Sequence, residues 1–185
     1  MERQSKPIAI VQGATSAEIQ QLLAAFVDRH AFRLRIAGLI EGVAGEGTAC
    51  GAGQLRSIGS GGSFALFQEL GAGSESCSLD SSGVVQASEQ VCGDIARGCD
   101  LVVLSKFGKL EAENRSGLIS AFVAAMEAGL PILTSVSPKH MAAWSAFAAP
   151  LFVTLPPEMA ALEAWQADTG DYSGLDRPTS DKQAN

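Results

Sequence analysis

The segment Asp100-Leu-Val-Val-Leu-Ser-Lys-Phe-Gly-Lys-Leu-Glu-Ala-Glu-Asn-Arg-Ser-Gly117 decides the fold. Leu101–Leu104 are four consecutive apolar residues, the pattern of a strand buried on both faces of a parallel sheet; a half-exposed strand would alternate. The charged, glycine-containing turn after it would lie at the strand's carboxyl end, where open α/β sheets hold their ligands. Ser105, Lys106, Gly108, Lys109, Glu111 and Glu113 occupy that position and define the expected functional edge.

Outward from this strand the chain alternates strands and helices. Residues 7–11 form a compact apolar run, followed by the turn from Gln12 through Gly13, Ala14 and Thr15 to Ser16. Ile19, Leu22, Leu23, Phe26 and Val27 then follow the i, i+3, i+4, i+7, i+8 spacing of one buried helix face. Residues 34–40 read as a second strand, and residues 41–53, with five glycines and Cys50, as a loop. Two short strands at 54–58 and 63–70, separated by Gly59, Gly61 and Gly62, predict a hairpin. Residues 71–80 read as a further loop carrying Cys77 and Asp80, two candidate ligands.

A helix with Val84, Ser88, Val91, Cys92 and Ile95 on one face precedes the central strand. Another follows it, with Leu118, Ile119, Phe122, Val123 and Met126 inward and Gly129 and Pro131 ending it. Residues 131–136 read as a buried strand, Ser137-Pro138 as the start of a short helix with Met141, Trp144 and Phe147 inward, 151–155 as the last strand and 156–168 as the last helix. One α/β domain over residues 1–168 is therefore expected, with a polar, disordered tail over 169–185.

A strand, glycine turn and helix opening a chain is the setting of a phosphate-binding loop. With Gly13 as the first glycine of G-x-x-x-x-G-K-[ST], however, the remaining positions hold Glu18, Ile19 and Gln20. Thr15 and Glu18 instead fit a capping box, which puts a carboxylate at the helix end that would otherwise receive a phosphate.

A net charge of −7 over 185 residues excludes a general nucleic-acid binder, so any basic patch must be local. No apolar run approaches the roughly 20 residues of a membrane-spanning helix, and no membrane insertion is expected. Four cysteines without a Cys-x-x-Cys pair or a signal segment read as reduced thiols of a cytoplasmic protein, and no metal site is expected. His30 and His140 read as structural residues, and no catalytic residue can be assigned.

The order of elements, with its inserted hairpin, resembles the P-loop nucleoside-triphosphatase fold, a three-layer α/β sandwich with a mainly parallel sheet. Asp100 to Glu111 resembles the second, Walker-B-type motif of small nucleoside-triphosphatases and nucleotide kinases, with Ser105 and Lys106 in place of an acidic pair and Gly108 and Glu111 kept. Three features together resemble an uncharacterised bacterial family, a domain of unknown function often labelled molybdenum-transport-associated or ATP-binding. They are Ser76-Cys-Ser-Leu-Asp80, the Lys106-Phe-Gly-Lys-x-Glu111 core with Glu113, and Gly129-Leu-Pro-Ile-Leu-Thr-Ser-Val136. The resemblance covers roughly residues 7–155 and implies nucleotide or oxyanion binding linked to molybdenum.

The lost phosphate-loop lysine and hydroxyl, and the lost acids, argue against a conventional Mg²⁺-dependent hydrolase. Lys106 and Lys109 facing Gly13, Thr15 and Ser16 would hold a small anionic ligand, a nucleotide or an oxyanion, without a metal. The competing readings are a solvated loop, its lysines paired with Glu111 or Glu113, and a divergent nucleoside-triphosphatase or other nucleotide-dependent enzyme. The expected protein partner is either a second copy of the chain or a component of a transport system.

Overall fold

The computed structural model describes residues 6–42, 53–65, 67–69, 77–79 and 81–170. Its centre is a seven-stranded sheet built from β1 (Ile8–Val11), β2 (Ile36–Gly42), β3 (Gln54–Ser57), β4 (Ser63–Ala65), β7 (Leu101–Leu104), β8 (Ile132–Ser135) and β9 (Phe152–Leu155). The spatial order is β4-β3-β2-β7-β8-β1-β9. The five strands from β2 to β9 in that order are parallel, and β3 and β4 extend the β2 edge as an antiparallel hairpin. β5 (Phe67–Glu69) and β6 (Cys77–Leu79) form a separate antiparallel pair.

The apolar runs are continuous because both faces of the sheet are covered. Ile8, Ile10, Val102, Leu104 and Ile132 turn to one core, shared with the helices α2 (Ser81–Arg97), α3 (Lys109–Asn114), α4 (Ile119–Glu127) and α5 (Met141–Ala148). Ala9, Val11, Leu101, Val103 and Leu133 turn to the other, under α1 (Ser16–His30) and α6 (Met159–Gly170). The first core centres on Trp144, fully buried between the rings of Phe107 (5.1 Å), Phe122 (5.6 Å) and Phe152 (5.7 Å).

Several local expectations change. The strand read over residues 63–70 is two strands, β4 paired with β3 and β5 paired with β6 in the separate sheet. β2 starts at Ile36, not at residue 34, because the Arg35 amide is taken by Asp100 Oδ2 (2.9 Å) and ladder pairing begins at Ile36 opposite Leu101. Val123 is exposed; Ala121 and Ala125 flank Phe122 on the buried face of α4, where their small side chains allow close approach. Cys77 lies in a strand, with Glu69 opposite, and not in a loop. The last helix continues to Gly170: Thr169 is buried and its hydroxyl donates to the Trp165 carbonyl (3.0 Å), so the domain runs past residue 168. Cys50, Asp80 and the tail from residue 171 lie outside the described residues.

Candidate functional site

At the carboxyl end of β7 the chain turns at Ser105, which is buried. Its carbonyl accepts from Gln20 Nε2 (2.8 Å) and from Ser135 Oγ (2.8 Å). Gln20 Oε1 accepts in turn from the Glu41 amide (3.4 Å), so one buried side chain of α1 joins the ends of β7 and β2. The P-loop reading of the sequence puts Gln20 and Ser105 in place of the hydroxyl and the acid that hold Mg²⁺. Here they bond to each other, and Ile19 beside them is buried and apolar. These residues do not fit a Mg²⁺ ion.

Lys106 follows, its ammonium 2.6 Å from Glu41 Oε1, a partner from β2 and neither Glu111 nor Glu113. Phe107 bridges to Val136 and fills the aromatic core. Gly108 caps α3, and Glu111 closes the turn: Oε2 accepts from the Gly108 amide (2.9 Å) and Oε1 from the Leu118 amide (2.8 Å). With both oxygens used inside the protein, Glu111 is a fold-holding carboxylate and not a free ligand. Its fit depends on Gly117, whose φ is +66° and where an added Cβ would lie 2.3 Å from Glu111 Oε1. Lys109 and Glu113 are exposed and 4.0 Å apart, a separation worth little in water.

Across the edge, the capping box at α1 forms as expected. Glu18 Oε2 accepts from the Thr15 amide (2.8 Å) and hydroxyl (2.6 Å), and Thr15 Oγ1 accepts from the Glu18 amide (3.3 Å). Hydrogen bonds from the Thr15 side chain, and then from its backbone, hold the Glu18 carboxyl below its ordinary range. Gln12 Nε2 ties the end of β1 to the Val136 carbonyl (2.7 Å).

Between these pieces lies a cleft of about 840 Å³ over the ends of β7, β8 and β1. Of the residues expected at the site, Ser16, Lys106 and Lys109 line it, whereas Gly13, Thr15, Gly108, Glu111 and Glu113 do not. The side chain of Cys77 and all of Asp80 lie outside the described residues, although the adjoining Ser81 lines the cleft. Lys139, His140, Ser135 and Ser137, from the segment after β8, line it as well and were not expected. The signal was present: the run 131–135 ends in serine, as the run 100–105 does, and a lysine follows within a few positions. Among the described lining residues there are three lysines and no aspartate or glutamate. Among the described residues, no group of three or more His, Cys, Asp or Glu is placed to hold a metal ion.

Comparison with known proteins agrees with this architecture. The chain superimposes on the crystal structure of THEP1 from the hyperthermophile Aquifex aeolicus with a TM-score of 0.58, covering 92% of this chain and 98% of that one at 11% identity. This likeness is one of fold, the P-loop nucleoside-triphosphatase fold. A protein named molybdenum import ATP-binding protein ModC 2, from Bradyrhizobium diazoefficiens, is 38% identical over 136 residues, which make up 73% of this chain but 15% of that protein. No helix among the described residues is long and apolar enough to cross a membrane. Residues 8–165 match one family model over nearly all of the sheet and its helices, and the chain belongs to that family, described as "Protein of unknown function (DUF2478)".

Proposed function

We propose that this chain is a cytoplasmic accessory protein that binds a small oxyanion or a nucleotide without Mg²⁺ and serves molybdenum handling. The observation that carries this reading is the cleft: Lys106, Lys109 and Lys139 line it with no carboxylate among its described lining residues, in a chain whose net charge is −7. Long-range attraction of anions to such a chain is poor, so capture depends on short charge-assisted contacts from the three ammonium groups and the serine hydroxyls. The end of α1 contributes little, since Glu18 already occupies it. The Gln20–Ser105 bond stands in place of the metal anchor and supports binding without hydrolysis. The link to molybdenum, and a transport system as partner, rest on the relative named as a molybdenum import protein.

A thermal-shift series on the purified chain tests this with ATP, ADP, molybdate, tungstate, sulfate and phosphate, each with Mg²⁺ and with EDTA. A ligand at a hundred times its dissociation constant stabilises the fold by about 2.7 kcal/mol, an increase of about 5 to 10 °C in Tm for a chain of this size. The expected result is a shift of that order that EDTA leaves intact, with no ATP turnover. Mg²⁺-dependent ATP hydrolysis abolished by Lys106→Ala would overturn the proposal in favour of a divergent hydrolase.

A further inference from the structure

Among the described residues, five buried side-chain atoms lack a hydrogen-bond partner: His30 Nε2, Glu41 Oε1, Asp94 Oδ2, Thr134 Oγ1 and Trp144 Nε1. His30 and Glu41 each face an ion-pair partner, Glu163 at 3.4 Å and Lys106 at 2.6 Å. Thr134 and Trp144 are fully buried in the core. Asp94 differs, because it lines a pocket of about 400 Å³. The pocket lies at the amino ends of β2 and β7, where Arg35 and Ile36 open β2, Cys99 precedes β7, residues 58–60 leave β3 and Arg97 ends α2. The anion cleft is at the opposite end of the same strands. The Asp94 side chain is 10% exposed, and its Oδ1 accepts from Gln90 Nε2 (3.2 Å) and from Arg97. Its Oδ2 faces Gly59, where an added Cβ would lie 2.9 Å away. Gly59 has no positive φ, so its backbone does not call for glycine; the missing side chain leaves room in front of the carboxylate oxygen. A buried acceptor without a donor is a cost that native structures rarely leave standing, and here the room for a donor is present.

We propose that this pocket is a second binding site, separate from the anion cleft, for an uncharged flat heterocycle whose N–H group donates to Asp94 Oδ2, the chemistry of a nucleobase edge. The charges around it select against ions. Arg35 is matched by Asp100, to which its Nε and Nη2 donate (3.3 and 3.0 Å), and Arg97 is matched by Asp94 itself. An anion gains little from guanidinium groups already paired, and a cation meets two of them. Burial, ahead of every other cause, holds the Cys99 thiol above its ordinary range, so the thiol adds no charge. Leu34, Ile36 and Ile58 supply an apolar wall for a flat body, and the volume lies within the range of about 300 to 1,000 Å³ usual for small-molecule pockets. The site does not rest on the function proposed above, and it stands even if the cleft binds no anion.

The test is calorimetry on the full chain with adenosine and guanosine, which carry no phosphate for the lysines of the cleft, and with dimethyladenosine, whose exocyclic nitrogen has no hydrogen to donate. The expected result is binding of adenosine or guanosine, and none of dimethyladenosine. Asp94→Asn, which removes the charged acceptor, weakens binding by roughly tenfold to a hundredfold. Gly59→Ala puts a methyl group in front of Oδ2 and abolishes binding without straining the backbone. A footprint on the wild type covers the case of a misfolded variant: the bound nucleoside slows alkylation of Cys99, which lines the pocket, and leaves Cys92, which does not, at its own rate. If neither nucleoside binds, or if one binds with no slowing at Cys99, Oδ2 is left to ordinary water and the site is overturned. Equal binding of dimethyladenosine, or binding that Lys106→Ala abolishes and Gly59→Ala does not, overturns it as well, the last by placing the nucleoside in the cleft.

Discussion

Lys106 does not face the cleft as a free charge, because Glu41 lies 2.6 Å from its ammonium. An incoming anion must compete with that carboxylate, so the two residues are expected to act in opposite directions. Lys106→Ala should weaken sulfate or nucleotide binding by roughly tenfold to a hundredfold, the worth of one charge-assisted contact. Glu41→Gln should tighten it, and calorimetry on both variants reads the two signs. If both variants bind like the wild type, Lys106 does not contact the ligand. Glu18 offers a test in stability. Its folded-state pKa lies below the ordinary value of 4.5, so the folded chain binds fewer protons there than the unfolded chain. The stabilisation is therefore present above pH 4.5 and is lost as the pH falls through the lower, folded value. Glu18→Gln should lower Tm relative to wild type at neutral pH, and the difference should close on acidification. A constant gap from neutral to acid pH would show that the capping carboxylate is not its source.

At the scale of elements, β2, held between β3 and β7, depends on Gly38. Its φ is +137°, and a Cβ there would sit 1.8 Å from the Val103 carbonyl oxygen of β7. Backbone, not a flexible side chain, is in the way, so Gly38→Ala should destabilise the domain by more than about 4 kcal/mol, the range reserved for broken cores and forced backbones. Denaturant melts, or failure to recover folded protein, would measure it. The α3 turn has a milder dependence. Glu111→Ala leaves the buried Leu118 amide and the half-buried Gly108 amide without their partner and should cost about 1 to 3 kcal/mol for the buried amide, reshaping the turn between Lys109 and Leu118. The apolar run Leu101–Leu104 was readable as a central strand because burial on both faces leaves a mark in the residues themselves. The capping box of Thr15 and Glu18 was readable because its partners are three residues apart. Glu111 was read as a ligand because Leu118, the second partner of its carboxylate, lies beyond a turn that no local pattern specifies.

Over the whole molecule, what escaped the sequence is what strand order creates. β8 lies between β7 and β1, so the segment after it, with Lys139 and His140, rises in the middle of the cleft. Ser137-Pro138, read only as a helix start, gave no hint of that adjacency. The bond from Gln20 to Ser105 spans 85 positions and could not be inferred from either residue. The aromatic centre was legible only in part: Trp144 was expected inward, but its enclosure by Phe107, Phe122 and Phe152 comes from three separate elements. Trp144→Ala should cost about 3 to 5 kcal/mol, seen as a shifted denaturation midpoint. Phe107 belongs to this cluster and also lines the cleft, so loss of Trp144 should loosen anion binding as well. The Gln20 side chain has a consequence for how the protein could report occupancy. Because it laces α1 to the ends of β7 and β2, this region is expected to keep its backbone shape when a ligand binds. Amide hydrogen exchange at Glu41 should be equally slow with and without sulfate. If exchange is unchanged, a partner that senses the loaded form would have to read the altered charge at the mouth of the cleft.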